Sequence, residues 1–197
     1  MLERQSALAG AVKLGGRDGA RGKRGLRLGE VRGWSLIQVA AFAQTLSRVE
    51  DALEPILGEL PIGCHNVVPG ERMIFRTGPE QFWIVGPEDG LLDTLAQAIS
   101  PEIGAVTPLS HSRTRIFIEG ERAADVLRKG IPLDFHPSVF TTGQAALTGL
   151  HHTPILVHRA SEHRFELYAM RSFALSVWEW LADAALEFGY EIVAEAT

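Results

Sequence analysis

An α+β fold of two similar halves, each running β-α-β-β-α-β behind a flexible basic arm, is predicted for this chain. Three observations predict it. Short apolar runs with strand-like alternation are interleaved with stretches of helical periodicity. The order of those elements before residue 110 returns after it. The first 33 residues also differ in composition from everything that follows. They hold eight basic and three acidic residues, a net of +5, whereas the remaining 164 carry a net of −10. Eight of the 33 are Gly, most of them in the run from Gly15 to Gly25. Glycine loses the most backbone entropy on ordering, and few apolar side chains here offset that loss, so residues 1–33 are expected to form a mobile arm.

Beyond the arm each element has its own signal. Trp34 to Ala41 reads as a strand. Gln44 to Leu57 reads as a helix, with Leu46, Val49, Leu53, Ile56 and Leu57 at helical spacing and Gly58 just beyond. Met73 to Arg76 and Gln81 to Val85 flank the turn residues Thr77-Gly78-Pro79-Glu80. Leu91, Leu92, Leu95, Ala96 and Ile99 mark a second helix, and Ala105 to Ser110 a closing strand. The second half repeats the pattern. Its strands are Arg113 to Glu119, Ala145 to Leu150, Ile155 to Arg159 and Arg164 to Met170, with a short helix over Glu121 to Lys129 that Gly130 can cap in the left-handed conformation. The last helix, Ser172 to Phe188, carries the stripe Ala174, Val177, Trp178, Leu181, Ala184, Ala185 and Phe188; Ser172 can cap its start and Gly189 its end. The expected organisation is thus an arm over 1–33 and one domain over 34–197, its ferredoxin-like halves meeting near residue 110.

Composition excludes several classes of function. One cysteine, Cys64, can make neither an internal disulfide nor a multi-cysteine metal site. Beside His65 on an extended segment it points to the opposite face, so an inert, buried or half-buried thiol is expected. The longest apolar runs, such as Leu36 to Ala43, fall far short of the ~20 residues a membrane helix needs. Met1-Leu-Glu-Arg-Gln lacks a basic stretch followed by an apolar one, and a cytoplasmic location is expected. Gly22-Lys23 is followed by Arg24 rather than Ser or Thr, and the arm's glycines lack a preceding strand and a following helix; neither a phosphate loop nor a dinucleotide fingerprint is present. Nucleic acid is not an expected partner, because no aromatics interleave with the arm's cations.

The remaining candidates are few. His151, His152, His158 and His163 lack the spacing of a helical zinc pair, and no metal is expected. Ser110-His111-Ser112 has no nucleophile elbow around it. Asp134 and His136 share a face two residues apart, so either the carboxylate orients the imidazole or both satisfy backbone groups in a turn before Pro137. Phe173 and Trp180 lie off the stripe of the last helix, either as side-packed core or as an exposed patch awaiting a partner. Together with Arg17, Arg21, Lys23, Arg24 and Arg27 they make up the candidate partner interface, with no catalytic, cofactor or metal residue assigned.

An ordered set of segments resembles the gamma subunit of heterotetrameric sarcosine oxidase. It runs through Leu109-Ser-His-Ser-Arg-Thr-Arg-Ile-Phe-Ile-Glu-Gly120, Ala124-Asp-Val-Leu-Arg-Lys-Gly-Ile-Pro-Leu-Asp-Phe-His-Pro137 and Phe140-Thr-Thr-Gly143. It continues through Val157-His-Arg159 and Arg171-Ser-Phe-Ala-Leu-Ser-Val-Trp-Glu-Trp-Leu181. A looser echo lies in Gly33 to Ala41 and Gln81 to Gly86. That family is similar to the folate-binding domain of the glycine-cleavage T-protein, which implies a T-protein-like fold. The resemblance implies a complex that oxidatively demethylates sarcosine to glycine, yielding peroxide and, with tetrahydrofolate, methylenetetrahydrofolate. It places FAD, FMN, NAD and tetrahydrofolate on alpha and beta chains and zinc on a delta chain. This chain would then be a non-catalytic partner packed mainly on alpha, and removal of residues 1–32 should weaken assembly more than folding. The alternative is a free-standing folate-binding protein or aminomethyltransferase-like enzyme. The Lys-Gly-Cys-Tyr-x-Gly-Gln signature of the folate-linked iron–sulfur maturation proteins is absent, with no Cys around Phe140 to Gln144.

Overall fold

The computed structural model describes residues 5–20 and 24–196. In chain order the strands β1 (Gly15–Arg17), β2 (Leu26–Arg32) and β3 (Ser35–Ala41) lead into helix α1 (Leu46–Leu57). Strands β4 (Val67–Val68), β5 (Met73–Gly78) and β6 (Gln81–Gly86) precede α2 (Leu91–Ala98) and β7 (Gly104–Pro108). Then come β8 (Arg113–Glu119), α3 (Ala123–Arg128), β9 (Ala145–Leu150), β10 (Thr153–Ser161), β11 (Arg164–Met170), α4 (Ala174–Ala185), β12 (Tyr190–Ile192) and β13 (Glu195–Ala196). The fold is mixed α+β. It divides into two units: Gly33–Ser110, and the described residues up to Arg32 together with those from His111 onward.

In the unit Gly33–Ser110 five strands lie in the order β4-β5-β6-β3-β7, each neighbouring pair antiparallel. Ile37, Val39 and Ala41 alternate along β3 and meet Ile74, Phe82 and Ile84, while Val49 and Leu53 of α1 and Leu95 of α2 close the cluster. Ser110 is structural: its Oγ accepts the Leu36 N–H at 2.9 Å. Cys64 is exposed, contrary to the buried or half-buried thiol expected, because its loop runs outside the strands that bury their neighbours.

The other unit is built on a larger sheet, ordered β1-β12-β2-β8-β11-β10-β9, with β13 also pairing β2. Period-two alternation sends Leu26 and Leu28, Ile116 and Ile118, Phe165 and Leu167, and Ile155 and Val157 to one face. On that face α4 buries Ala174, Val177, Trp178, Leu181 and Ala185, and α3 buries Ala123, Val126 and Leu127. Each such large side chain removed from water contributes on the order of 1.5–3 kcal/mol. Phe135 fills the space beside α3, edge-on to Phe140 at 6.0 Å and to Phe165 at 5.5 Å.

Within the described residues the expected arm over 1–33 is corrected, while residues 1–4 and 21–23 lie outside them. Residues 26–32 are a strand held between β12 and β8, and Leu8 is fully buried in the same core. The apolar residues Leu26, Leu28 and Val31 supply the burial that offsets the glycine entropy, and Gly29 lies where Phe117 and the Val193 carbonyl leave no room for a Cβ. Two caps are corrected as well. Ser172 lies in a short 3-10 turn over Arg171–Phe173 and makes no capping bond; that turn, rather than a side chain, starts α4. Gly130 is not a left-handed cap: a Cβ there would collide with the Trp180 ring, so close approach is what requires glycine. Gly189 does adopt φ 70° and returns its N–H to Ala185.

Candidate functional site

The sheet face opposite the helices in the larger unit gathers charge in a buried setting. Arg115 on β8 and Glu166 on β11 are 8% and 3% exposed. Their pairing is bidentate, with Nε and Nη2 each donating at 3.0 Å. Tyr168 sits directly opposite Arg115 in register, donates to Glu166 at 3.3 Å, and lies under the Arg115 guanidinium at 5.6 Å. His158, opposite Glu166 on β10, brings Nδ1 to 3.6 Å. Arg164 stands 3.4 Å away and stacks on Phe117 at 4.2 Å.

The electrostatics follow from this geometry. Burial raises the Glu166 carboxyl, but the adjacent His158 and the charges of Arg115 and Arg164 outweigh it and hold the group at about 2. Burial pushes the Tyr168 phenol the other way, far above its ordinary range, with Glu166 adding to the rise. At neutral pH Glu166 is therefore an ionised acceptor and Tyr168 a protonated donor, which makes the cluster a fixed charge arrangement rather than a proton-transfer pair. The sequence carried a signal for it: Arg164, Glu166 and Tyr168 recur at period two on a strand whose other face is apolar. The partner Arg115 lies 51 residues away from Glu166, beyond the reach of local pattern.

The predicted interface residues differ in their surroundings. Arg17 is exposed at the end of β1, which pairs with β12. Arg24 is ion-paired to Asp18 at 2.8 Å and Arg27 to Glu119 at 2.9 Å, so acidic neighbours offset both. Arg21 and Lys23 lie outside the described residues. Phe173 is 41% exposed in the turn before α4. Trp180 is side-packed core: it packs on the apolar cluster against Gly130 and meets His151 edge-on at 5.9 Å.

The other polar candidates resolve into local structure. Asp134 accepts the His136 backbone N–H at 2.8 Å rather than orienting its imidazole, while His136 Nδ1 bonds Ser138 Oγ at 2.7 Å. The pair is a turn before Pro137, as the second of the two alternatives had it. Among the described residues no three His, Cys, Asp or Glu side chains gather as metal ligands, and no helix is long and apolar enough to cross a membrane.

Comparison with known proteins places this architecture. The family model described as sarcosine oxidase, gamma subunit, matches residues 38–187. A sarcosine oxidase subunit gamma from Corynebacterium sp. (strain U-96) is 39% identical over 118 residues, 59% of this chain and 58% of that relative. A second, from Arthrobacter sp., is 36% identical over the same length. The matched stretch thus spans little more than half of these relatives. Among solved structures, heterotetrameric sarcosine oxidase from Corynebacterium sp. U-96 superposes with a TM-score of 0.81 at 31% identity, over 94% of this chain and 96% of that one. The glycine cleavage system aminomethyltransferase T from Bartonella henselae shares the fold, with a TM-score of 0.59 at 18% identity over 88% of this chain and 48% of its own. The chain belongs to the sarcosine oxidase gamma subunit family.

Proposed function

We propose that this chain is the non-catalytic gamma subunit of a cytoplasmic heterotetrameric sarcosine oxidase that demethylates sarcosine to glycine, with peroxide and methylenetetrahydrofolate as products. The observation that carries the reading is the family match over residues 38–187, joined to a likeness that takes in nearly all of a chain from the heterotetrameric enzyme. Oxidising an amine requires a positioned hydride acceptor. This sequence has no strand–Gly-x-Gly-x-x-Gly–helix unit to hold a dinucleotide, which supports assigning FAD and NAD to other chains. The resemblance alone carries the assignment of FMN and tetrahydrofolate, with FAD and NAD, to alpha and beta chains and of zinc to a delta chain. The buried Arg115–Glu166 cluster, fixed in charge at neutral pH, supports a structural role for the larger sheet.

The finer architecture is part of the same proposal: the two units are the repeated ferredoxin-like halves of a T-protein-like domain. The strand order β5-β6-β3-β7 around α1 and α2 in Gly33–Ser110 supports it. Docking on the alpha chain would use exposed apolar and basic side chains, Phe173 and Arg17 among them. Neither nucleic acid nor a membrane is a partner in this reading. The test is co-expression with the alpha, beta and delta chains and determination of the mass of the purified assembly. This chain is expected to co-elute in stoichiometric amount, and its omission to lower the yield and thermal stability of the oxidase. Separate elution, with oxidase activity and stability unchanged when the chain is left out, would overturn the proposal.

A further inference from the structure

We propose that a cleft beside α3 binds a small zwitterionic amino acid, its carboxylate directed at Arg159 and its ammonium group at Glu121 and Glu162. The inference stands on geometry of this unit alone and is independent of the family reading. Arg159, at an inward position of β10, is only 4% exposed. Its Nη1 donates to the Phe140 carbonyl at 2.6 Å and its Nη2 to the Glu162 carbonyl at 2.9 Å. Its Nε is buried with no hydrogen-bond partner. No carboxylate among the described residues is ion-paired with it, and its guanidinium lies over the Phe165 ring at 5.3 Å. Arg115 shows the contrast, since it too is buried yet bidentate to Glu166. A guanidinium removed from water without a counter-charge is costly, and carbonyl dipoles offset only part of that cost.

Arg159 lines a cleft of about 180 Å³ whose buried wall is Phe135 and Phe165 and whose exposed margin includes Glu121, Glu162 and His163. Asp125 and Arg128, also on the margin, neutralise each other at 2.6 Å, with Arg122 at 2.9 Å from Asp125 as well, which leaves Glu121 and Glu162 as the acidic groups there. Glu121 has no ion-pair partner among the described residues, and Glu162 has only His163 at 3.8 Å. A buried cation thus faces an acidic margin across one small volume. A simple anion would meet the carboxylates, and a simple cation would meet Arg159. An α-amino-acid zwitterion, its ammonium and carboxylate groups joined through a single carbon, carries a charge for each end, and the cleft, below the ~300 Å³ of drug-sized pockets, suits a molecule of amino-acid size.

The test uses the full chain, isotopically labelled, titrated with glycine as the smallest zwitterion and with acetate and methylammonium as its two halves. Glycine is expected to shift amide resonances of residues 120–125 and 159–165 saturably, with a Kd on the order of 1–10 mM. Acetate and methylammonium should each bind at least about tenfold more weakly, the loss of one of two charged contacts. Ala124→Leu fills the cleft while leaving the bonds of Arg159 in place, and it should abolish the shifts. If that variant fails to fold, Glu121→Gln with Glu162→Gln, both on the exposed margin, should weaken glycine about tenfold. The proposal is overturned by any of three results: no saturable shift with glycine, acetate binding as tightly as glycine, or full glycine affinity in a folded cleft variant.

Discussion

Glu166 is ionised inside a protein that buries it, and its environment sets both a magnitude and a pH window. Because its folded value, about 2, lies below its unfolded value near 4.5, the stabilisation it brings is fully present above the ordinary carboxylate range. That stabilisation is lost as pH falls from about 4.5 toward about 2. Replacing Glu166 with Ala leaves Arg115 buried without its counter-charge, and breaking a buried pair from one side costs about 3–5 kcal/mol. Urea denaturation at pH 7 should therefore show Glu166→Ala losing that much. The stability difference between wild type and Glu166→Gln should shrink steadily between pH 4.5 and pH 2; a constant difference across that window would contradict the assignment. At this scale the sequence was partly legible. The alternation of Arg164, Glu166 and Tyr168 marks a polar face. Cys64 and Trp180 show the limit, since exposure of the one and burial of the other depend on loops and on Gly130, which no local period encodes.

At the scale of elements, legibility tracks how local the determining contacts are. The strands expected over Arg113–Glu119, Ala145–Leu150 and Arg164–Met170 have those same bounds in the structure, because alternation and turn residues lie within a few positions of each other. The last helix begins two residues later than expected, at Ala174, after a 3-10 turn whose geometry overrides the Ser172 cap. Strand β2 is disguised in the sequence because Arg27, Gly29, Glu30 and Arg32 break its apolar run. Its stability comes from partners far along the chain, as in the Arg27–Glu119 ion pair, 92 residues apart. The crowding at Gly29 makes this testable. A Cβ there would lie 2.5 Å from Phe117 Cε1 and 2.6 Å from the Val193 carbonyl oxygen, and backbone cannot give way as a side chain can. Gly29→Ala should cost about 1–3 kcal/mol by overpacking. Gly10→Ala, where nothing lies within 4 Å of the added methyl, is the matched control and should stay within about 0.5 kcal/mol. Thermal melts of the two variants decide it; equal midpoints would mean that β2 adjusts freely.

For the molecule as a whole, the N-terminal residues change meaning. A +5 segment rich in glycine suggests an appendage on an acidic body, and composition alone cannot distinguish an appendage from a strand that is completed by distant neighbours. In the structure β2 joins β8 on one side to β12 and β13 on the other, the last two in parallel register. Parallel pairing needs a long connection, and here most of the chain supplies it. Removing residues 1–32 would therefore split the larger sheet: β8 would lose an antiparallel neighbour, and β12 and β13 would lose the strand that holds them. Leu8, Leu26 and Leu28, all buried in the α3–α4 core, would go as well. Each buried leucine lost contributes a few kcal/mol, and together they approach the 5–15 kcal/mol of a typical domain's whole stability. The truncated chain is expected to lose cooperative thermal unfolding and near-ultraviolet dichroism even without partners, so that assembly fails because folding has failed. Arg17→Ala with Arg24→Ala, which removes exposed charge and leaves β2 intact, should melt within a few degrees of wild type. If the truncated chain melted cooperatively at the wild-type midpoint and only its association were weakened, the N-terminal residues would be an arm after all.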